Sequence, residues 1–373
     1  MTHVGILGGG QLARMMALAA VPMGIKVTVL DPNEDACAGV VADHIHAEYD
    51  DADALSKLAS LSDVVTFEFE NVPSEVAHAL SDRCQVFPPP EALAVAQDRI
   101  KEKSLFCELG IPVSPFKPVE SREDLDKGVA EIGLPCVLKT SRDGYDGKGQ
   151  AVLKTDQDVE VAWTELGGRP LILEDFVEFK REVSVIAVRS QSGEIKAYAL
   201  TENQHRKGML AISMAPAKVS ETSSEAHQYA ARLLNHFNYV GVLAVEFFET
   251  DKGLLVNEMA PRVHNSGHWT QDGAEVCQFE NHIRAILGWP LGETRSRGMT
   301  SMVNWIGVMP KPQHLLSIES LHWHDYGKAP RAGRKIGHVN LCAADLPALQ
   351  QKLMVVGRVL SKQLEDGLDA FDV

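Results

Sequence analysis

Gly241–Gly267 reads GVLAVEFFETDKGLLVNEMAPRVHNSG, a β-hairpin that runs into a loop of polar side chains. Val242, Leu243, Val245 and Phe247 favour a buried strand, and Leu254, Leu255 and Val256 read as its partner. Asp251-Lys252-Gly253 between them predicts a three-residue turn, with glycine where left-handed backbone is required. With Thr250 paired to Leu254, Glu246 falls directly opposite Glu258. Two carboxylates on one face, with Cβ atoms about 5 Å apart, repel each other. A divalent cation between them removes that penalty, and hard oxygen ligands suit Mg2+. Arg262, His264, Asn265 and Ser266 then crowd into a segment holding Pro261 and Gly267, which is anion-binding chemistry beside a metal candidate. The flanks are too apolar for two idle surface glutamates.

A chain of 373 residues has room for two or three domains. Its net charge of −15 argues against nucleic acid as a partner, because a phosphate backbone wants a basic face. Cys37, Cys84, Cys107, Cys136, Cys277 and Cys342 are scattered, with no CxxC, and read as buried thiols in a reducing compartment. No apolar run approaches the ~20 residues of a membrane span. The N-terminus enters a strand at once, without a signal-peptide pattern. The expectation is a cytoplasmic α/β protein.

The first strand, HVGIL at 3–7, leads into Gly8-Gly9-Gly10-Gln11-Leu12-Ala13 and a helix, then a second strand at 27–30 ending in Asp31. This is a βαβ start with a G-x-G-x-x-A turn, whose helix N-terminus offers unpaired N–H groups to a phosphate. Further strands are expected near Asp63–Phe69 and Gln85–Phe87 before Pro88-Pro89-Pro90 closes the region. Glu70 sits at a strand C-terminus, where open α/β sheets place ligand groups. A helix over Glu91–Leu109 carries Asp98, Arg99, Lys101 and Lys103, and Arg99 is within reach of a phosphate.

The strand PCVLKT at 135–140 sets Lys139 among apolar neighbours, a point charge suited to nucleotide phosphates. It is followed by the glycine-rich loop 141–150, SRDGYDGKGQ, and another strand. This is not a Walker A loop, but a glycine-rich strand–loop–strand can close over phosphates as a lid. The strand at 171–177 ends in Glu174 and Asp175, whose surroundings suit an adenine, and Glu182 suits ribose hydroxyls. Near the C-terminus, Lys328, Arg331, Arg334 and Lys335 fall in a glycine-containing loop that feeds a core strand, which reads as a phosphate site. His322 and His324 share a strand face but show no third metal ligand.

This order of parts resembles the ATP-grasp superfamily. The segments GILGGGQLARM, TFEFENVP, QDR, YDGKGQ, ENQH, NEMAPRVHNSGH and GRKIGHVN look more narrowly like the biotin-independent N5-carboxyaminoimidazole ribonucleotide synthetases of purine biosynthesis, over nearly the whole chain. The resemblance implies an α/β (α+β) ATP-grasp fold: a Rossmann-like pre-ATP-grasp domain at 1–97, an ATP-grasp domain at 98–295 with a lid at about 113–178, and a small C-terminal domain at 296–373. It implies a ligase that joins ATP, bicarbonate and 5-aminoimidazole ribonucleotide, with Mg2+, without biotin, as a homodimer. Arg99, Lys139, Lys148, Glu174, Val177, Glu182, His205, Asn257 and Glu258 would contact ATP, and Glu246 and Glu258 would hold the metal. Tyr145, Asp146, Arg262, His264, Asn265 and Lys328 would surround the carboxylation centre and the aminoimidazole. Gly10, Gln11, Leu12 and Glu70, with Arg334 and Lys335, would hold the ribonucleotide. Many ATP-grasp enzymes carry Asn two residues after the second metal glutamate; here that position is Ala260.

The implied chemistry is attack of bicarbonate on the γ-phosphate, then of the aminoimidazole amine on carboxyphosphate or on CO2 released from it, with Asp146 or His264 taking the proton. Two other readings stay open: a formate-using ribonucleotide transformylase of the same superfamily, and an NAD(P)-binding protein built on the N-terminal fingerprint.

Overall fold

In the computed structural model, residues 1–70, 72–142, 144, 149–218 and 222–365 are described. The N-terminal unit comprises β1 (His3–Leu7), α1 (Gln11–Ala20), β2 (Lys26–Asp31), β3 (Asp43–His46), α2 (Ala52–Leu61), β4 (Val64–Phe67) and α3 (Ser74–Ser81). Its sheet is parallel, in the order β3-β2-β1-β4. All of β1 is buried, as a parallel strand covered on both faces must be. The strand expected near 85–87 is only a bridge between Val86 and Val65, because the prolines that follow lack the N–H groups to extend it.

The helix expected over 91–109 is two, α4 (Pro90–Ala96) and α5 (Arg99–Glu108). Asp98 is extended, and its carboxylate accepts hydrogen bonds from the N–H groups of Ile100 and Lys101, so it starts α5 as an N-cap. Gln97 leaves the helix to donate to the carbonyls of Glu70 and Val72 at 2.6 and 2.7 Å.

The next unit holds β5 (Phe116–Val119), α6 (Arg122–Ile132), β6 (Cys136–Thr140), β7 (Gln150–Leu153), α7 (Asp156–Leu166) and β8 (Leu171–Asp175). The strands form an antiparallel sheet, β5-β8-β6-β7, over a small core that includes Leu125, Leu138, Val159 and Leu173. Both helices begin with capping boxes, Ser121 with Asp124 and Thr155 with Asp158.

A larger sheet follows, from β9 (Arg181–Arg189), β10 (Ile195–Ala197), β11 (Thr201–Arg206), β12 (Met209–Ala215), α8 (Thr222–His236), β13 (Gly241–Thr250), β14 (Gly253–Ala260), α9 (Thr270–Gly273) and α10 (Gln278–Ile286). The C-terminal strands β15 (Met299–Ile306), β16 (Leu321–Asp325) and β17 (Lys335–Ala343) extend this same sheet, and α11 (Leu346–Glu365) packs on them. The order is β14-β13-β9-β11-β12-β15-β17-β16, with β10 paired to β9.

The hairpin opposes its two carboxylates by a route other than the expected one. Thr250 pairs with Gly253, so the turn has two residues, Asp251 and Lys252. That register alone would set Glu246 against Asn257. A β-bulge intervenes between Glu246 and Phe247: Phe247 faces Val256, Glu246 faces Glu258, and Asn257 is the extra residue. Gly253 has φ of 117°, which explains the glycine.

All six cysteines are free, but only Cys37 and Cys136 are buried and Cys107 is exposed, so the expectation of six buried thiols fails. Among the described residues no helix is long and apolar enough to cross a membrane.

Candidate active site

Glu246 is largely enclosed and Glu258 is exposed, although they face each other. Burial, followed by the charge of Glu258, pushes the Glu246 carboxyl up to about 7. His264 places Nε2 3.4 Å from Glu246 Oε1. Its other nitrogen, Nδ1, meets the hydroxyl of Ser266 at 2.9 Å and the Ser266 N–H at 3.3 Å. Ser184 donates to Ser266, and Asn203 donates to Ser184, so the Ser266 proton points at Nδ1 and the ring proton sits on Nε2, facing Glu246. Burial, then the charges of Arg262 and Lys335, hold His264 well below the usual histidine range. The neutral ring is a donor toward Glu246 and has no free lone pair for a substrate proton.

Among the described residues no three His, Cys, Asp or Glu side chains cluster to hold a metal by themselves. Two opposed carboxylates, one of them poorly compensated, do fit Mg2+, which takes one or two carboxylates and completes its shell with water and substrate phosphate.

On the lid side of the hairpin, Glu174 Oε2 lies 3.1 Å from Lys139 Nζ and 3.2 Å from Lys103 Nζ. Burial alone would raise the Glu174 carboxyl, but the two lysines outweigh it and bring it below the usual range. Glu174 Oε1 is buried without a hydrogen-bond partner, an acceptor left over after both lysines meet Oε2. Lys139 is lowered by burial, against the pull of Glu174. Arg99 is turned toward the lid rather than left free, donating to the carbonyls of Thr140 and Gly144 at 3.1 and 3.0 Å. Val177 is partly covered, between exposed Phe176 and Phe179, and Phe179 stacks on Phe248. Glu182 accepts from His205 Nδ1 at 2.7 Å. Burial would lower His205, but that bond and the charge of Glu246 raise it.

On the opposite side, Arg262 forms an ion pair with Glu70. Burial would raise Glu70, yet Arg262 holds it below the usual carboxylate range, with Lys335 contributing. The Lys335 charge also acts on Glu246 and His264, so of the basic loop this residue is the one that bears on the hairpin. Lys328 is not at the hairpin; its ammonium donates to Gln11 Oε1, beside the glycine turn. Arg334 is partly exposed and its guanidinium reaches the Ala329 carbonyl at 3.4 Å. Asn265 and Asn304 exchange hydrogen bonds at 2.7 and 3.1 Å. Tyr145, Asp146 and Lys148 lie outside the described residues.

The glycine turn corrects one expectation outright. The N–H groups at the start of α1 are not unpaired: Gly10, Leu12 and Ala13 donate to the Glu68 carboxylate at 2.8, 3.1 and 3.3 Å. Asp31, the acid that would grip a nicotinamide dinucleotide's ribose, accepts instead from the Gly9 N–H at 2.7 Å and from Tyr49. Both groups of a dinucleotide fingerprint are therefore consumed internally. His322 and His324 both contact a third residue, Asp272, as hydrogen-bond and ion-pair partners.

Sequence reasoning missed Glu68, Glu102, Lys103 and Asn304. Glu68 had a signal, since it stands two residues before Glu70 where a strand ends. Glu102 is buried, accepts from the Met259 N–H at 2.8 Å, and is pushed up to about 8 by burial and by Glu258.

Glu174 paired to Lys139 and Lys103 on one sheet, and the opposed Glu246 and Glu258 with the Glu70–Arg262 pair on another, fit the class of ATP-grasp ligases. Three family models match in turn: a ribonucleotide synthetase preATP-grasp domain at residues 1–97, an ATP-grasp domain at 104–279, and a phosphoribosylaminoimidazole carboxylase C-terminal domain at 300–352. The chain belongs to the N5-carboxyaminoimidazole ribonucleotide synthase family. It is 50% identical to the Pseudomonas aeruginosa enzyme of that name over 353 residues, covering 95% of this chain and 98% of the relative. The crystal structure of the Thermus thermophilus N5-carboxyaminoimidazole ribonucleotide synthetase superposes with a TM-score of 0.92 at 50% identity, covering 95% and 98% of the two chains. The Aspergillus clavatus enzyme, solved with ADP and 5-aminoimidazole ribonucleotide, superposes at 0.87 with 30% identity, covering 96% and 99%.

Proposed function

We propose that this ATP-dependent ligase carboxylates the amine of 5-aminoimidazole ribonucleotide with bicarbonate, giving N5-carboxyaminoimidazole ribonucleotide for purine biosynthesis. The observation that carries the reading is the Glu70–Arg262 ion pair, which ties the N-terminal unit to the segment directly after the carboxylate hairpin. Two anion sites then share one junction. Bicarbonate as the carbon source and a homodimeric cytoplasmic assembly belong to the same proposal, carried by the family membership.

Lys139, Glu174, Val177, Glu182 and His205 would bind the nucleotide, with Lys103 setting Glu174 and Arg99 setting the lid. Asn257 and Glu258 would face the triphosphate. Glu246 and Glu258 would hold Mg2+, which neutralises triphosphate charge when bound. Bicarbonate oxygen attacks the γ-phosphorus and ADP leaves, forming carboxyphosphate. The amine then attacks the carboxyl carbon, the C–O bond to phosphate breaks, and the amine proton passes to a base. Arg262, kept charged by Glu70, stabilises the anions that meet there. Because the ring proton of His264 faces Glu246, Asp146 is the residue we assign as proton acceptor, with Tyr145 and Lys148 beside it in the lid. Gln11, Glu70, Asn265, Lys328, Arg334 and Lys335 would seat the ribonucleotide, and Gly10 and Leu12, whose N–H groups are held by Glu68, would line its site without donating to it.

ADP release tests this, measured with ribonucleotide and bicarbonate together and with each omitted. The expected result is turnover that needs both. Turnover indifferent to the ribonucleotide rejects the assignment, and formate replacing bicarbonate would indicate a transformylase.

A further inference from the structure

The start of α1 has the geometry of a phosphate site but no vacancy for a phosphate. Gly10, the N-cap residue, has no side chain to satisfy the first N–H groups of the helix. The Glu68 carboxylate, arriving from the end of β4, does so instead, with Oε1 on Gly10 and Oε2 on Leu12 and Ala13. It is 8% exposed. The two outer glycines of the turn are shaped to this side chain: a Cβ on Gly10 would strike the Glu68 carboxylate, and one on Gly8 would strike Glu68 Cγ. The carboxylate thus supplies the negative charge that a helix N-terminus favours. Its three donors flank Gln11, the residue whose side chain accepts from Lys328.

We propose that Glu68 is a built-in anion: it occupies the phosphate position of the glycine turn, excludes dinucleotides, and locks Gln11 onto Lys328 so that this pair can seat the ribonucleotide. Glu68 is a positioning residue in this account, acting through backbone N–H groups. The part concerning the ribonucleotide rests on the function proposed above; the part concerning the anion does not.

The test compares wild type, Glu68→Ala and Glu68→Gln, with formate as the probe for the vacated carboxylate position. Thermal melting in formate, against chloride at equal ionic strength, should stabilise Glu68→Ala and leave wild type unmoved. An equal response in both proteins would overturn the anion assignment, whatever the substrate. In ADP-release kinetics, Glu68→Ala should raise the ribonucleotide KM about tenfold and the ATP KM less than about twofold, with formate restoring the former. Glu68→Gln keeps the shape and loses the charge, so it should fold and show a smaller rise in ribonucleotide KM alone. A ribonucleotide KM unchanged in Glu68→Gln, or both KM values rising together, would overturn the positioning role. Wild type lacking ribonucleotide-stimulated ADP release would reject the functional reading, and the formate melting would still judge the anion.

Discussion

Glu246 and Glu258 carry the same charge into different surroundings, and their substitutions should differ accordingly. Glu258 is exposed and its charge opposes those of Glu246 and Glu102, so Glu258→Gln should leave the melting temperature unchanged or slightly raised while lowering Mg2+-dependent ADP release by on the order of a hundredfold. Turnover close to wild type would sink the metal assignment. Arg262 has a different consequence, because its loss leaves Glu70 without its cation. Burial opposes the Glu70 charge and Arg262 more than offsets it, so the folded pKa is depressed. A depressed carboxylate stabilises the fold above its unfolded pKa and loses that contribution as pH falls through the folded value. In Arg262→Met burial acts without its main opponent and the carboxyl should titrate higher, so the acid-side loss of stability from this group should shrink or vanish and the variant's deficit should be largest near neutral pH. Melting temperatures recorded across the acid range check this, and superimposable profiles would show that the pair does not control Glu70.

Helix α5 joins elements that do different work. Within one turn and a half, Arg99 holds the base of the lid loop, Glu102 holds the backbone beside Glu258, and Lys103 holds Glu174 in β8. Lys103 and Glu174 are almost fully buried, so Lys103→Met should cost on the order of 3 kcal/mol by leaving the carboxylate with Lys139 alone. Chemical denaturation checks it, and Lys103→Met combined with Glu174→Gln should cost less than the two changes summed. Arg99 could be singled out beforehand, but the inward Glu102 and Lys103 could not, because α5 buries these charges on the same side as Leu105 and Phe106 and no purely apolar stripe marks the inward face. The hairpin was legible, since apolar alternation and a glycine turn fix two strands and their approximate pairing. Its bulge was not: one extra residue leaves the hydrophobic pattern almost unchanged, and two errors, in turn length and in register, cancelled at Glu246. Lys139 could be read from its apolar neighbours. Glu68 could not be given its role, because a glycine fingerprint has the same spelling whether a phosphate or a carboxylate fills it.

Across the whole molecule, the last strands complete the central sheet, and a polar seam fastens them. Asp272 of α9 accepts from His324 of β16 at 2.8 Å and from Asn340 of β17 at 2.7 Å, with His322 at 3.4 Å. Burial would raise Asp272, but His324, Asn340 and His322 bring it below its usual value. The seam should therefore contribute fully above the ordinary aspartate range and fade as pH falls through the depressed value. Asp272→Asn should lower stability near neutral pH by about 2 kcal/mol and flatten the acid limb, measured by denaturation at several pH values. An unchanged acid limb would show that the seam is not pH-linked. The same connectivity governs the nascent chain. Strand β12 ends at Ala215 and its neighbour β15 starts at Met299, so one edge of the central sheet stays open while the intervening segment is made. At typical synthesis rates that is several seconds, on the order of 4–16 s. An open edge is a template for pairing with other chains, so a ribosome stalled between these two strands would hold an intermediate more prone to aggregate than the finished enzyme.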